Sequence, residues 1–330
     1  MMQKIFSRSF SVLGVEVGII SNYQPILNYD EYFLDKGSYL HSLLSNFNRL
    51  EEIPFSSNHD FYLYLINMKG FPLEVEIGSR NIYCSGDILS FEKNALDKRN
   101  SIFGNMGLFS KILLRFLEKK GIFSFHSTAM YSQTKKILYL VLGESGSGKS
   151  TVLLAGLRKG LKLFGTELVH FQIKNEQILF YKGSIIMNCR KENLIEDFPE
   201  LIDKFNIKKL HKKRKQCFYL PVDMGSLQTE NNIFKNPKTV LIFPRIEKFR
   251  QKVIISKVNT LDIQNLIFDN LCQKISPASI LYNKYFVPSI DNRRLQLFRM
   301  EMVRQFCQKA DIRGSWNVLA SPQNCLDKIL

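Results

Sequence analysis

The chain has 330 residues, of which 45% are hydrophobic and 23% charged, a composition typical of a globular protein with one large domain or two of ordinary size. Its formal net charge of +16 favours anionic partners such as a nucleotide, a phosphorylated substrate, an acidic peptide or nucleic acid. For most of the lysines, a solvated basic surface is the simpler interpretation.

Three classes of protein are disfavoured by simple patterns. The six cysteines are scattered without a C-x-x-C pair, which argues against a zinc site and a disulfide framework and suits a reducing cytoplasm. The first residues, MMQKIFSRSF, lack the apolar core of a secretory signal. No stretch approaches about 20 consecutive apolar residues, so we expect no membrane span and a cytoplasmic protein.

The first 105 residues read as a small mixed α/β domain without a recognisable chemical motif. A helix is predicted at 39–50 from its apolar spacing. Successive strands are predicted at 61–68, 72–77 and 81–84. The segment 10–21 is strand-like but broken by glycine, and one more apolar run lies at 88–91. His41 and His59 lie here, and isolated histidines are more often structural or exposed than catalytic.

An amphipathic helix at 106–120, ended by Gly121, is predicted to link this domain to the next. Two apolar runs follow, at 123–131 and 136–142, with a turn signal at 132–135 between them. They predict a β-hairpin whose second strand ends immediately before a glycine-rich segment.

That segment is GESGSGKST, and it matches the phosphate-binding pattern G-x-x-x-x-G-K-[ST] completely. A buried strand before it and a helix-compatible run after it give the expected context. Glycines let backbone N–H groups converge on phosphate oxygens, and the helix N-terminus adds partial positive charge. We therefore predict a nucleoside triphosphate site formed by Gly143, Ser145, Gly146, Ser147, Gly148, Lys149, Ser150 and Thr151. Lys149 would bridge the outer phosphates, and Ser150 would ligate Mg²⁺.

Beyond Gly160, the segment 161–173 is predicted as one strand with Thr166 and Glu167 in its middle. Further strands are predicted at 178–181, 239–243 and 253–258, and a helix at 261–271. The densest basic run is KKLHKKRK at 208–215. The tail, 276–330, is predicted to be mostly helical because of the broad apolar face at 293–308.

Other nucleotide-binding families lack support. The chain has neither the L-S-G-G-Q signature nor the apolar run ending in Asp-Glu of ABC-type ATPases, and it has no N-K-x-D motif of small GTPases. The segment 122–271 instead resembles HPr kinase/phosphorylase and the wider phosphoenolpyruvate-carboxykinase-like small kinases. The likeness rests on the histidine of Phe125-His126-Ser127-Thr128, the phosphate loop, the helix ending at Gly160, and the basic residue before an aromatic-Leu-Pro segment at 218–221.

The resemblance implies roles for three residues near the loop. His126 would lie near the transferred phosphoryl group, although a buried core histidine is the alternative. The family carries a pair of acids where this chain has Thr166-Glu167. The first acid is taken as the base, and a threonine hydroxyl cannot replace it near neutral pH. Glu167 remains and would join Ser150 at the Mg²⁺ ion.

The basic run has several interpretations. Lys213, Arg214 and Lys215 would clamp phosphate oxygens or an acidic substrate, as the resemblance implies, since family members have basic residues before the aromatic-Leu-Pro segment. A nucleic-acid surface is a less favoured alternative. A solvated, mobile loop is the usual fate of such runs.

We therefore expect an α/β protein in four parts: a mixed α/β domain (1–105), a linking helix (106–121), an HPr-kinase-like P-loop domain (122–275) and a helical C-terminal segment (276–330). The expected activity is ATP-dependent transfer of a phosphoryl group to a hydroxyl or carboxyl of a small molecule, peptide or small protein, with Mg²⁺. A catalytically weak nucleotide-binding sensor is the first alternative, and a nucleic-acid-stimulated ATPase is the second. Self-association into a homo-oligomer stays among the options.

Overall fold

The computed structural model describes residues 4–27, 47, 50–94, 98–205, 219–277, 279–281, 285–287 and 289–330. They form two compact units, the first from Met1–Gly121 with Lys274–Leu295, and the second from Ile122–Gln273 with Gln296–Leu330. The helix predicted at 39–50 and His41 fall outside the described residues, apart from positions 47 and 50. So does the basic run at 208–215.

The first unit contains a six-stranded mixed sheet in the order β3-β1-β2-β4-β6-β5. Its strands are β1 (Phe6–Val12), β2 (Val15–Ser21), β3 (Glu51–Ile53), β4 (Phe61–Asn67), β5 (Glu74–Ile77) and β6 (Asn81–Gly86). The unit also has helices α1 (Gln24–Leu27), α2 (Ile88–Asn94) and α3 (Leu108–Lys119), and a 3₁₀ turn at Lys98–Asn100. The strands predicted at 61–68, 72–77 and 81–84 and the helix at 106–120 are confirmed.

Two apolar segments of this unit differ from the sequence interpretation. The segment 10–21 is part of a hairpin of two strands that turns at Leu13 and Gly14, both with positive φ. The run at 88–91 begins helix α2, because the Asp87 carboxylate accepts a hydrogen bond from the backbone N–H of Ser90 at 3.2 Å. An aspartate N-cap of this kind favours a helix over a strand.

The second unit contains a nine-stranded mixed sheet in the order β14-β11-β10-β7-β8-β15-β19-β16, with β9 also paired to β7. Its strands are β7 (Ile122–Ser132), β8 (Ile137–Leu142), β9 (Lys162–Gly165), β10 (Leu168–Lys174), β11 (Gln177–Tyr181), β14 (Ile233–Lys235), β15 (Lys238–Ile246), β16 (Ile254–Lys257) and β19 (Ile312–Ala320). Strands β12 (Ile186–Arg190) and β13 (Tyr219–Asp223) form a separate pair. The pair β17 (Ser279–Leu281) and β18 (Tyr285–Val287) belongs to the first unit.

The helices of the second unit are α4 (Lys149–Arg158), α5 (Leu201–Lys204) and α6 (Thr260–Cys272), with a π-helical turn at Asn193–Asp197. The last helix is α7 (Arg293–Lys309), and its residues from Gln296 onward belong to the second unit. Strand β8 separates two apolar cores because its side chains alternate between the faces of the sheet. Tyr139 and Val141 pack with α4, whereas Leu138, Leu140 and Leu142 pack with α6 and α7.

The C-terminal segment is less helical than its sequence pattern indicates. Residues after α7 form β19, which pairs in parallel with β15. Trp316 lies opposite Ile242, and Ala320 lies opposite Ile246. Val318 and Ala320 are buried in the core on the α4 side. The strand forms because β15 offers an unpaired edge, a long-range property that periodicity within 276–330 does not report.

The segment 161–173 is also not one strand. It forms β9 and β10, which both pair with β7, and Thr166-Glu167 connects them. The break occurs because the Thr166 backbone N–H donates to the Ser184 carbonyl at 2.8 Å instead of to a strand neighbour. None of the described helices is long and apolar enough to cross a membrane.

Candidate functional site

The glycine-rich loop connects the end of β8 to the start of α4, as the sequence predicts. Gly146 and Gly148 have φ of 88° and 103°, in the region that side-chain-bearing residues rarely adopt. A Cβ atom on Gly148 would also overlap the Ile246 side chain at the end of β15. Ile246 further donates its backbone N–H to the Ser147 carbonyl at 3.1 Å. The loop is therefore shaped by the neighbouring parallel strand as well as by its own glycines.

Lys149 is buried at the start of α4, with its ammonium held inside the loop. Its Nζ donates hydrogen bonds to the carbonyl oxygens of Gly143 at 2.7 Å and Glu144 at 2.9 Å. A buried cation needs such partners, since an uncompensated charge away from water is costly. The lysine is thus held over the loop next to the N-terminus of a ten-residue helix, where partial positive charge accumulates.

The loop hydroxyls differ in how they are used. Ser147 Oγ is buried and has no hydrogen-bond partner among the described residues, whereas Ser150 is half-buried. Thr151 Oγ1 instead accepts a hydrogen bond from Asn193 Nδ2 at 3.1 Å, so this hydroxyl contacts protein. Glu144, Ser145 and Gly146 are exposed at the tip of the loop.

The geometry fits a bound triphosphate. A buried hydroxyl without a partner, a buried ammonium and a helix N-terminus converge on one loop, and all three favour an anion. At Gly148 a side chain would overlap Ile246, so this position of the loop requires glycine. The donor set for Mg²⁺ is also of the expected kind, since this ion usually binds one or two protein oxygens plus phosphates and water.

Within the described residues, no group of three or more His, Cys, Asp or Glu side chains could hold a metal ion by itself. Ser150 and Glu167, the two oxygen donors that the sequence analysis assigns to Mg²⁺, come from different elements, the start of α4 and the connection between β9 and β10.

His126 and Glu167 lie together on the β7 side of β8, opposite to β15. Ser127 pairs with Leu142, the residue before the loop, and its backbone N–H donates to the Glu167 carbonyl at 3.1 Å. Glu167 is therefore about two strand spacings, or roughly 10 Å, from the start of the loop. The Glu167 carboxylate lies 3.3 Å from His126 Nε2.

The His126 ring is fixed from its other side by α6. Its Nδ1 lies 2.6 Å from Gln273 Oε1, and Asn270 makes two hydrogen bonds with the His126 backbone, at 2.9 and 3.0 Å. When Gln273 Oε1 accepts, Nδ1 carries a hydrogen, so Nε2 needs a second proton to bond the Glu167 carboxylate. The Nε2 atom of His126 faces the Glu167 carboxylate, and the Glu167 side chain is 31% exposed.

Thr166 points away from this pair. Its side chain is buried, and Oγ1 donates toward the backbone carbonyl oxygens of Ser184 at 3.0 Å and Ile186 at 2.6 Å. The hydroxyl is occupied by main-chain acceptors. An aspartate at this position would place a carboxylate against the same two carbonyl oxygens.

A second histidine, His170, has a structural environment. It is buried on β10, and its Nδ1 lies 2.7 Å from the Ser124 hydroxyl. Burial lowers the pKa of His170 to about 4, so the ring is neutral at physiological pH. It adds no charge near the loop.

Sequence reasoning identified the loop, His126 and Glu167 but missed three residues beside them. Ile246, Asn270 and Gln273 come from β15 and α6, about 100 residues or more along the chain. Asn270 carried a usable signal, because a buried polar residue in an otherwise apolar helix face usually has a specific partner. Lys213, Arg214 and Lys215 lie outside the described residues.

Comparison with known proteins adds little. No family model matches the chain, and no curated protein does. Of solved structures, 42 chains match. One is the Hpr(Ser) kinase/phosphatase from Coxiella burnetii, at 16% identity over 56% of this chain and 97% of that chain, with a TM-score of 0.21. Such values do not establish a shared fold, so a functional assignment depends on this chain's own residues.

Replacing Thr166 tests its place in the structure. Thr166→Asp should lower the free energy of unfolding by about 3–5 kcal/mol, the usual cost of an uncompensated buried charge. Thr166→Ser keeps the hydroxyl and should lose at most about 1.5 kcal/mol. Urea denaturation of both variants measures the difference. Equal stability of the two would mean that position 166 does not face the Ser184 and Ile186 carbonyls.

Proposed function

We propose that the chain is an ATP-dependent phosphotransferase of the HPr-kinase-like type. The observation that carries the proposal is the loop at the end of β8, with Lys149 held by the carbonyls of Gly143 and Glu144. The nearby His126–Glu167 pair supports transfer over simple binding, because it brings a carboxylate and an imidazole, both groups that can move protons, close to the phosphate loop.

Nucleotide binding would use the residues from Gly143 to Thr151. The backbone N–H groups of the loop, the Ser147 hydroxyl and Lys149 are the donors available to phosphate oxygens. A phosphate oxygen carries negative charge and attracts the ammonium by Coulomb interaction as well as by a hydrogen bond, whereas a carbonyl oxygen is neutral. A phosphate would therefore compete effectively with the Gly143 and Glu144 carbonyls for the Lys149 ammonium.

Ser150 and Glu167 are the residues proposed to hold Mg²⁺. When bound, the ion would neutralise charge that develops on the phosphate oxygens during transfer. Ser150 is proposed for this role because it directly follows Lys149 in the first turn of α4, next to the phosphate loop.

Glu167 is the carboxylate available to the acceptor. In the proposed reaction, the acceptor oxygen bonds to the γ-phosphorus as the bond to the bridging oxygen breaks, and ADP leaves. An acceptor hydroxyl would give its proton to Glu167, whereas a carboxylate acceptor needs no base. His126 holds Glu167 in position and balances its charge, and Gln273 holds His126.

The acceptor is proposed to be a small molecule, peptide or small protein with anionic character. The charge of +16 supports an anionic partner, and Lys213, Arg214 and Lys215 are the proposed contacts. A nucleic-acid-stimulated ATPase is the alternative that the same basic run would support.

One observation favours a second candidate, a nucleotide sensor with weak transfer. Thr166 replaces the acid that the resemblance places at the base position, and its hydroxyl donates to main-chain carbonyls. Phosphoryl transfer depends chiefly on positioning and electrostatic stabilisation, so losing one base slows the reaction without abolishing it. Release of ADP with and without candidate acceptors separates the two functions.

Lys149→Ala tests the nucleotide assignment. Truncating one partner of a buried charge pair costs about 2–5 kcal/mol, so the affinity for Mg·ATP should fall by about 30-fold or more. Titration with a fluorescent ATP analogue measures this loss. Lys159→Ala, at the opposite end of α4, removes an exposed lysine paired with Asp327 and serves as the control that should bind normally. Unchanged affinity in folded Lys149→Ala would reject the site.

Glu167→Gln tests the metal. If this carboxylate helps to hold Mg²⁺, the variant should lose about tenfold in nucleotide affinity with Mg²⁺ and much less with excess chelator. Isothermal titration under both conditions gives the comparison. Glu176→Gln makes the same charge change at an 85% exposed side chain and should have no effect. Equal losses with and without Mg²⁺ would leave Glu167 as a residue that only positions His126.

A further inference from the structure

A short turn, Glu247–Arg250, follows β15 and carries the most exposed large apolar side chain in the described part of the chain. Phe249 is 89% exposed. Single exposed apolar residues are common and need no explanation by themselves. Phe249 differs from such residues because the turn that carries it begins beside the phosphate loop.

The turn is held in place although the Phe249 side chain itself is almost fully exposed. The Glu247 backbone N–H donates to the Ala320 carbonyl at 2.9 Å, and the Arg250 N–H donates to the Glu247 carbonyl at 3.2 Å. The Glu247 carboxylate pairs with Arg245 at 3.2 Å and Arg250 at 2.8 Å. The ring is thus presented to solvent from an ordered turn.

The turn also begins at the phosphate loop. Ile246, the residue before it, donates its N–H to the Ser147 carbonyl and lies against Gly148. Phe249 is therefore three residues from a direct contact with the loop, a separation of at most about 10 Å along an extended chain.

The order of strands indicates which end of a nucleotide faces this turn. His126 and Glu167 lie on the β7 and β10 side of β8, and β15 lies on the other side. A γ-phosphate directed toward Glu167 places the opposite end of the molecule, the base, toward β15. The base is a flat aromatic group for which an exposed ring is a suitable partner.

We propose that Phe249 is the surface on which the base of the bound nucleotide stacks. This inference rests on the proposed function and adds the base subsite to it. A cation borders the ring: Lys248 Nζ lies 6.0 Å from its centroid, and this ammonium pairs with Glu196. Stacking is tolerant of base identity because every base has a π-face, so ATP and GTP should bind with similar affinity.

The test compares Mg·ATP with Mg·tripolyphosphate, which has the phosphates but no base. Stacking on an aromatic side chain is lost on substitution by alanine, so Phe249→Ala should weaken ATP binding by about fivefold or more and leave tripolyphosphate binding unchanged. Phe249→Trp should retain ATP affinity. Leu261→Ala, at a 68% exposed residue of α6, is the control and should alter neither ligand.

The outcomes separate this inference from the proposed function. If Lys149→Ala weakens both ligands while Phe249→Ala weakens neither, the phosphate site stands and the base subsite is rejected. Equal losses of both ligands in Phe249→Ala would assign the ring a role in loop structure and also reject stacking. If wild-type protein binds neither ligand, the proposed function and the inference fail together.

Discussion

The second unit is organised around a buried lysine at the end of a buried strand. Lys149 brings a positive charge into a buried region, and the Gly143 and Glu144 carbonyls of the loop accept hydrogen bonds from its ammonium. These acceptors are neutral, so the site retains a preference for an anion. The loop can adopt this shape only because Gly148 leaves room for Ile246 of the neighbouring strand.

The site combines elements from both sides of β8. On one side, β7 and the β9–β10 connection place His126 and Glu167 near the loop, and α6 fixes the His126 ring through Gln273. On the other side, β15 supports the loop through Ile246 and continues into the turn with Phe249. Strands β8 and β15 are parallel to each other, so both end at the same edge of the sheet. Ligands of α/β proteins commonly bind at this edge.

Local patterns predicted the parts of the site that local interactions determine. The hairpin β7–β8, the phosphate loop and helix α4 follow from apolar runs, turn residues and a glycine pattern within about 40 residues. The division of 161–173 into β9 and β10 was missed because it depends on a bond between Thr166 and Ser184. Strand β19 was missed because it depends on the free edge of β15. Gln273 beside His126 depends likewise on packing between distant segments.

The most direct test of the account is hydrogen–deuterium exchange with and without saturating Mg·ATP. The account predicts that the backbone amides of the loop and first helical turn, residues 144–151, exchange more slowly with the nucleotide because they donate to phosphate oxygens. Peptides covering the exposed turn between β10 and β11, at Asn175 and Glu176, should be unchanged. Bound nucleotide without protection of the loop would contradict the assignment of a triphosphate to this site.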